Sequence, residues 1–373
     1  MAFDHWNSAL IGELCKPMAQ MSESHALINH ANLTVLQLDP AWANKAQALK
    51  DMLQKQCALL LTQQCQSACA DAIHPNAQAI AACGTHFMAP KLSDATRCQI
   101  LAQRVALDPM AHHQMPLTLT IRLSNNHIAH AHYQQLLKSA LGRDKGANGD
   151  IGAPANVASM GAFTPTPWLL PIDEAIAEIN HTLAPKPKQQ FTQLITQGRL
   201  RLTSQHAAGH FCVMCSAGAF IQLEMSHGLV DVLALSHELG HALDLEHRWR
   251  QGSYSPPEVV NSEAQAIAME FYVLNNSLNH TQKPAAYAAT LIHAQHHFYG
   301  PWHLALHRFE LGLYGIPHFT PQALDSWWLE CTQGFGADTG GWRHIQHFFT
   351  SPFYLICYPL ALHTLALHMP LLP

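Results

Sequence analysis

Residues 231–245 read DVLALSHELGHALDL, and the reading of the whole chain starts from them. Val232, Leu235, Leu239, Ala242 and Leu243 recur at three- and four-residue intervals, which predicts an amphipathic helix with one buried face. His237 and His241 stand four residues apart, so on such a helix they project about 40° from each other and both imidazoles can reach one ion. Glu238 lies beside them, where its carboxylate can take a proton from a metal-bound water. Burying two imidazoles and a carboxylate is costly unless a metal or a full set of hydrogen bonds compensates. The chain holds 28 His, and composition alone would give the His-Glu-x-x-His pattern in about 7% of such chains. The helical setting therefore carries as much weight as the five residues themselves.

The remainder of the composition narrows the function classes. At 373 residues with 48% hydrophobic and 12% charged residues, the chain can bury a large core and is not a disordered tail. A formal net charge of −5 provides no basic footprint for nucleic acid. The start of the chain lacks a basic segment followed by an apolar run, and no apolar run is long enough to span a membrane. A cytoplasmic protein without a membrane or nucleic-acid partner is expected. Its ten Cys follow no framework spacing and read as reduced thiols, with the Cys212/Cys215 pair structural because no second pair follows at zinc-ribbon spacing.

The expected fold class is mainly α, with a small β-element beside the motif helix. Two regions are expected, a mainly helical one over residues 1–160 and a catalytic one over 161–373, able to pack as one continuous domain. A helix or helical hairpin is predicted over Pro40–Ile73, and helices from a Ser93-Asp94 cap to Leu107, over His127–Leu141 with a stop at Gly142, from Pro171 to near Pro185, and over Gln189–Gln197. Gly142–Pro171 is rich in Gly and Pro and reads as a loop. PLTLTIRL (116–123) and FIQLEM (220–225) alternate apolar and polar residues and are the strand candidates. From Trp302 onward the chain reads as helical, with turns at Gly315-Ile316-Pro317 and Gly334–Gly341.

A catalytic zinc site needs a third protein ligand and one open position. His247 is one candidate, six residues past His241. It can share the ion only if the helix breaks midway, at Asp244, and a non-Gly residue resists the left-handed turn required. In a continuing helix His247 points about 80° away from His237. Glu258 and Glu263 are the others. Glu263 opens EAQAIAME, a good helix-forming run, and Glu270 lies seven residues on, near the same face.

Five stretches resemble the thimet oligopeptidase and oligoendopeptidase F family of zinc peptidases. They are GRLRLTSQHAAGHFC (198–212), the 220–225 strand, DVLALSHELGHAL (231–243), Glu263-Ala264 with Met269-Glu270, and WRHIQHFFTSPFYLICYPLA (342–361). The resemblance covers roughly residues 165–275 and 340–362, in a chain shorter than typical members. It implies a helical zinc-peptidase domain holding one Zn²⁺ through His237, His241 and Glu263. Glu270 would support a zinc-bound His, and His347, Tyr354 and Tyr358 would contact the substrate and its oxyanion. Ile356 stands where the family often has a further Tyr.

The expected activity is zinc-dependent hydrolysis of peptide bonds, as an oligopeptidase or endopeptidase with a peptide substrate as partner, by Glu238-assisted attack of zinc-bound water. One rival is a peptidase-like protein that binds zinc or peptide without turnover. Another is a metzincin-type peptidase with His247 as third ligand. A third is metal buffering, for which His206/His210 and His303/His307 have helical spacing.

Overall fold

The computed structural model describes residues 93–110, 114–146, 172–203, 210–215, 218–225, 229–251, 258–280 and 285–368. Their secondary structure is mainly helical, with one three-stranded sheet. The Pro40–Ile73 helix, most of the Gly142–Pro171 loop and the expected boundary at residue 160 lie outside the described residues. No helix among them is long and apolar enough to cross a membrane.

Helix α1 (Asp94–Leu107) starts as its sequence predicts. The Ser93 hydroxyl accepts from the Thr96 N–H, and the helix ends at Asp108, just before Pro109. Residues 117–125 form helix α2 (Leu117–Asn125), so the strand expected over 116–123 is not there. The run LTLTIRL satisfies both periods. Leu119 and Leu123 are spaced i,i+4 and both are buried, while Thr120 returns its hydroxyl to the Pro116 carbonyl at 3.1 Å. Packing on a helical face thus overrode β propensity. Helix α3 (His130–Gly146) continues through Gly142 instead of stopping there. Helices α4 (Ile172–Thr182) and α5 (Pro185–Thr196) follow, α5 opening four residues before the expected Gln189 because proline is well suited to a first turn.

By compactness the chain divides into two units, and α7 (Val259–His280) contributes to both. The first unit takes its described residues from Pro167–Pro257 and Gln265–Ala289. Its sheet has the order β1-β3-β2. The central strand β3 (Gly218–Glu224) pairs parallel with β1 (Leu200–Thr203) and antiparallel with β2 (Phe211–Cys215). Ala219, Ile221 and Leu223 share one face of β3 and join an apolar cluster with Val232, Leu235, Leu239 and Ala242 of α6 (Leu229–Arg250). The stripe that predicts the motif helix is thus the surface that seats it. Phe220 and Gln222, on the other face of β3, are buried as well, so the 220–225 alternation does not mark a solvent face. Arg199, buried before β1, bonds Glu246 of α6 at 2.6 Å and the Ala219 carbonyl at 2.8 Å. That pair ties the C-terminal half of α6 to the edge where β3 begins.

The second unit draws on Ile73–Thr166, Glu258–Ala264 and Thr290–Pro373. Helix α8 (Ala285–His297) leads through a π-turn at Phe298–Trp302 into α9 (His303–Gly312). Pro301 within the π-turn lacks the N–H that a regular turn would use. Helix α10 (Pro321–Cys331), the short α11 (His347–Thr350) and α12 (Cys357–His368) complete it. Leu101, Phe309, Leu324, Trp328, Trp342, Phe348 and Phe349 form its aromatic-rich core.

Candidate metal centre

Helix α6 runs unbroken through Asp244 and His247 to Arg250. The bend that a third ligand at His247 requires is absent, and the His247 ring bonds Gln251 at 3.0 Å. The metzincin arrangement is therefore not formed. Asp244 instead makes an i,i+4 pair with Arg248 at 2.9 Å.

His237 and His241 do lie together, their Nε2 atoms 3.2 Å apart. His237 Nδ1 sits 2.6 Å from Glu270 Oε1. Glu270 is 1% exposed, and a carboxylate there fixes Nδ1 as the protonated nitrogen, leaving the Nε2 lone pair toward the cluster. One ligand atom each from His237, His241 and Glu263 falls within 4.8 Å of the other two, a grouping single among the described residues. Two nitrogens bound to a tetrahedral zinc ion at about 2.05 Å would stand about 3.3 Å apart. The observed 3.2 Å and the two-imidazole, one-carboxylate donor set fit that ion. Glu258, the other carboxylate candidate, pairs with His127 at 3.2 Å and with Asn261, outside the cluster. Glu238 is 7% exposed, beside the His pair on the same helix.

Gly240 accounts for the closeness of the two helices. A Cβ there would lie 2.6 Å from Ala266 Cα and 2.9 Å from the Gln265 carbonyl oxygen of α7. Sequence reasoning passed over this residue. Its signal was a glycine inside the motif facing the Ala-rich run Glu263-Ala264-Gln265-Ala266, small residues on both sides of a helix crossing.

Within the second unit, the Tyr354 phenol donates to Glu263 Oε1. The His347 ring stacks on Tyr354, centroids 4.8 Å apart and planes 23° apart. Tyr358 meets Tyr354 edge-on at 5.8 Å and packs 4.4 Å from the His303 ring. Burial, with Glu263 adding to it, holds the Tyr354 phenol well above its usual range, so it stays a neutral donor. Burial also pushes His347 down to about 4, against the upward pull of Glu263, leaving a neutral imidazole at pH 7. The His303/His307 pair forms no metal cluster. His303 bonds the Phe298 carbonyl at 2.6 Å, and His307 bonds Tyr133 at 2.9 Å in the core. His210 Nδ1 accepts from the Glu224 N–H at 3.1 Å; His206 and the Cys215 side chain lie outside the described residues, and Cys212 packs against the apolar cluster of the first unit.

No family model and no curated protein matches the sequence. Among solved structures, one of PZ peptidase A with an inhibitor aligns over 96% of this chain and 65% of its own, at 15% identity and a TM-score of 0.54. The chain shares the fold of PZ peptidase A. It spans 65% of that protein's length. A candidate oligoendopeptidase F aligns over 95% of this chain and 75% of its own, at 16% identity and a TM-score of 0.47. Another, from Bacillus anthracis str. Ames, aligns over 96% and 62%, at 14% identity and a TM-score of 0.43. The likeness to PZ peptidase A agrees at the level of fold with the resemblance read from the sequence.

Proposed function

We propose that the chain is a zinc-dependent peptidase, hydrolysing peptide bonds as an oligopeptidase or endopeptidase. The observation that carries the reading is the convergence of His237, His241 and Glu263 on one point, with Glu238 beside them. The fold shared with PZ peptidase A supports it.

His237, His241 and Glu263 would hold the ion, and Glu270 keeps the His237 ring in the tautomer that offers Nε2. When bound, zinc supplies Lewis-acid polarisation of the scissile carbonyl and lowers the pKa of water. Glu238 takes up the proton of the attacking water at its carboxylate and delivers it to the leaving amine. The Tyr354 phenol already lies within hydrogen-bond reach of a ligand carboxylate, so a small rotation turns it to the developing oxyanion. Such a donor contributes about 3 kcal/mol to the transition state. His347, stacked on Tyr354, offers a second neutral N–H donor, and Tyr358 buttresses the pair.

The test is Glu238→Gln. It is expected to bind one zinc per chain and to cleave nothing in a mixed peptide library that the unaltered chain digests. Cleavage by the variant at the unaltered rate overturns the mechanism. An unaltered chain that binds zinc and peptide and cleaves none favours the non-catalytic reading, for which the 65% span of the PZ peptidase A chain is the motive.

A further inference from the structure

Phe353 has a left-handed backbone, φ +55°, which a bulky residue adopts only where its surroundings impose it. Glu310 of α9 accepts the Phe353 N–H at 2.8 Å. Arg104 of α1 pairs with the same Glu310 oxygen at 3.0 Å and donates to the Phe348 carbonyl. Its guanidinium lies 5.9 Å from the Phe353 ring centroid. Arg122 of α2 donates to the Pro352 carbonyl at 3.0 Å and to Ser351 Oγ at 3.4 Å. Its guanidinium lies 5.4 Å from the ring centroid of Tyr354. Each of Ser351, Pro352, Phe353 and Tyr354 is thus held by at least one of three charged side chains.

The core pair is not an economical way to fill space. Arg104 is 0% and Glu310 1% exposed, and Arg104 Nε and Nη2 and Glu310 Oε2 have no hydrogen-bond partner. Apolar residues of similar volume commonly replace such pairs without loss of stability. They could not, however, accept the N–H of a residue at positive φ or donate to the Phe348 carbonyl. The pair is matched to this turn, and the turn leads directly into the residue whose phenol bonds Glu263.

We infer that Arg104, Glu310 and Arg122 form a positioning clamp, which sets the Ser351–Tyr354 turn and so holds the Tyr354 phenol on Glu263. The clamp itself is a statement about the turn; its effect on turnover rests on the proposed function. None of the three residues need touch substrate. They act through Tyr354.

The experiment compares the full chain with Glu310→Ala, Glu310→Gln and Arg122→Ala. Hydrogen–deuterium exchange over residues 351–356 of the metal-free protein is expected to quicken about tenfold or more in the two alanine variants, with the α6 segment unchanged. Glu310→Gln keeps an oxygen that accepts the Phe353 N–H and is expected to stay within about threefold of the unaltered chain. With zinc added, kcat on a peptide substrate falls about tenfold in the alanine variants, KM stays within about twofold, and Glu310→Gln recovers most of the rate. Glu310→Ala placed on Tyr354→Phe lowers kcat no further, because the clamp acts through that phenol. Unchanged exchange at 351–356 in the folded alanine variants overturns the clamp, as does a loosened turn with unaltered kcat. If Glu310→Ala does not fold, Arg122→Ala, at a half-buried position, decides by the same readouts. An unaltered chain without peptidase activity refutes the proposed function, whereas the exchange measurement still decides whether the clamp exists.

Discussion

Replacing Gly240 with alanine adds one methyl group at the contact that brings the motif helix against α7. The new Cβ would lie 2.6 Å from Ala266 Cα, where ordinary contact begins at 3.4 Å. The obstacle is backbone, with no flexible side-chain end to swing aside, so α6 and α7 must separate locally by about 0.8 Å or more. Glu270 rides on α7, and its 2.6 Å bond to His237 would stretch beyond a good hydrogen bond. Two effects on stability oppose. Alanine favours a helix by about 1 kcal/mol over glycine, while overpacking against rigid backbone costs about 1–3 kcal/mol. The clash is expected to win, with a modest net loss. Loss of the carboxylate behind a zinc-bound His commonly costs about 10–100-fold in metal affinity, and a stretched bond should reach the lower part of that range. The assay is zinc affinity by competition with a chromophoric chelator, alongside thermal unfolding with and without a chelator. Gly300→Ala, whose Cβ would meet only Leu362 at 3.6 Å, is the control. A Gly240→Ala protein with unaltered zinc affinity and an undiminished melting temperature refutes the reasoning.

Glu270→Ala leaves the three proposed ligands in place and should weaken zinc binding about 10–100-fold, measured with the same chelator; an unaltered affinity removes Glu270 from the proposed site. Tyr354→Phe should keep one zinc per chain and lower kcat about 100-fold, the equivalent of about 3 kcal/mol, and an unaltered kcat excludes the phenol as a donor to the transition state. His307 is held down to about 3 by burial, below its unfolded value near 6.5. Between those values the unfolded chain binds a proton that the folded chain does not, so stability falls as the pH drops below about 6.5, approaching about 1.4 kcal/mol per unit. A His307→Gln protein should therefore lose less stability between pH 7 and pH 4.5 in thermal unfolding than the parent; equal slopes would contradict the assignment.

Where local signals agreed with packing, the sequence was readable. Ser93 and Pro109 bracket α1 as capping and proline rules require, and the stripe from Val232 to Leu243 gave both the existence and the buried face of α6. Residues 117–125 were misread because a period of two and an i,i+4 pair coexist in LTLTIRL, and only tertiary contacts choose between them. Gly142 failed as a stop because glycine merely lowers helix stability, and α3 extends over it. At the site, His237 and His241 follow from helix geometry alone. Glu263 needed a family resemblance to be preferred over Glu258, since choosing between two nearby carboxylates requires the crossing of α6 and α7. Arg104, Arg122 and Glu310 left no local trace, being separated by up to about two hundred residues and joined only through the turn they share.

Glu263 and Glu270 stand seven residues apart on α7, nearly in line along one side of it. One belongs to the candidate metal cluster and the other braces His237, so the proposed centre would read the rotational phase of a single helix at two points. A turn of α7 about its axis would displace both carboxylates at once. A one-residue insertion between them would swing one about 100° away from the other. Metal occupancy would then act as a gauge of helix register, tight when α7 is in phase and lost when it slips.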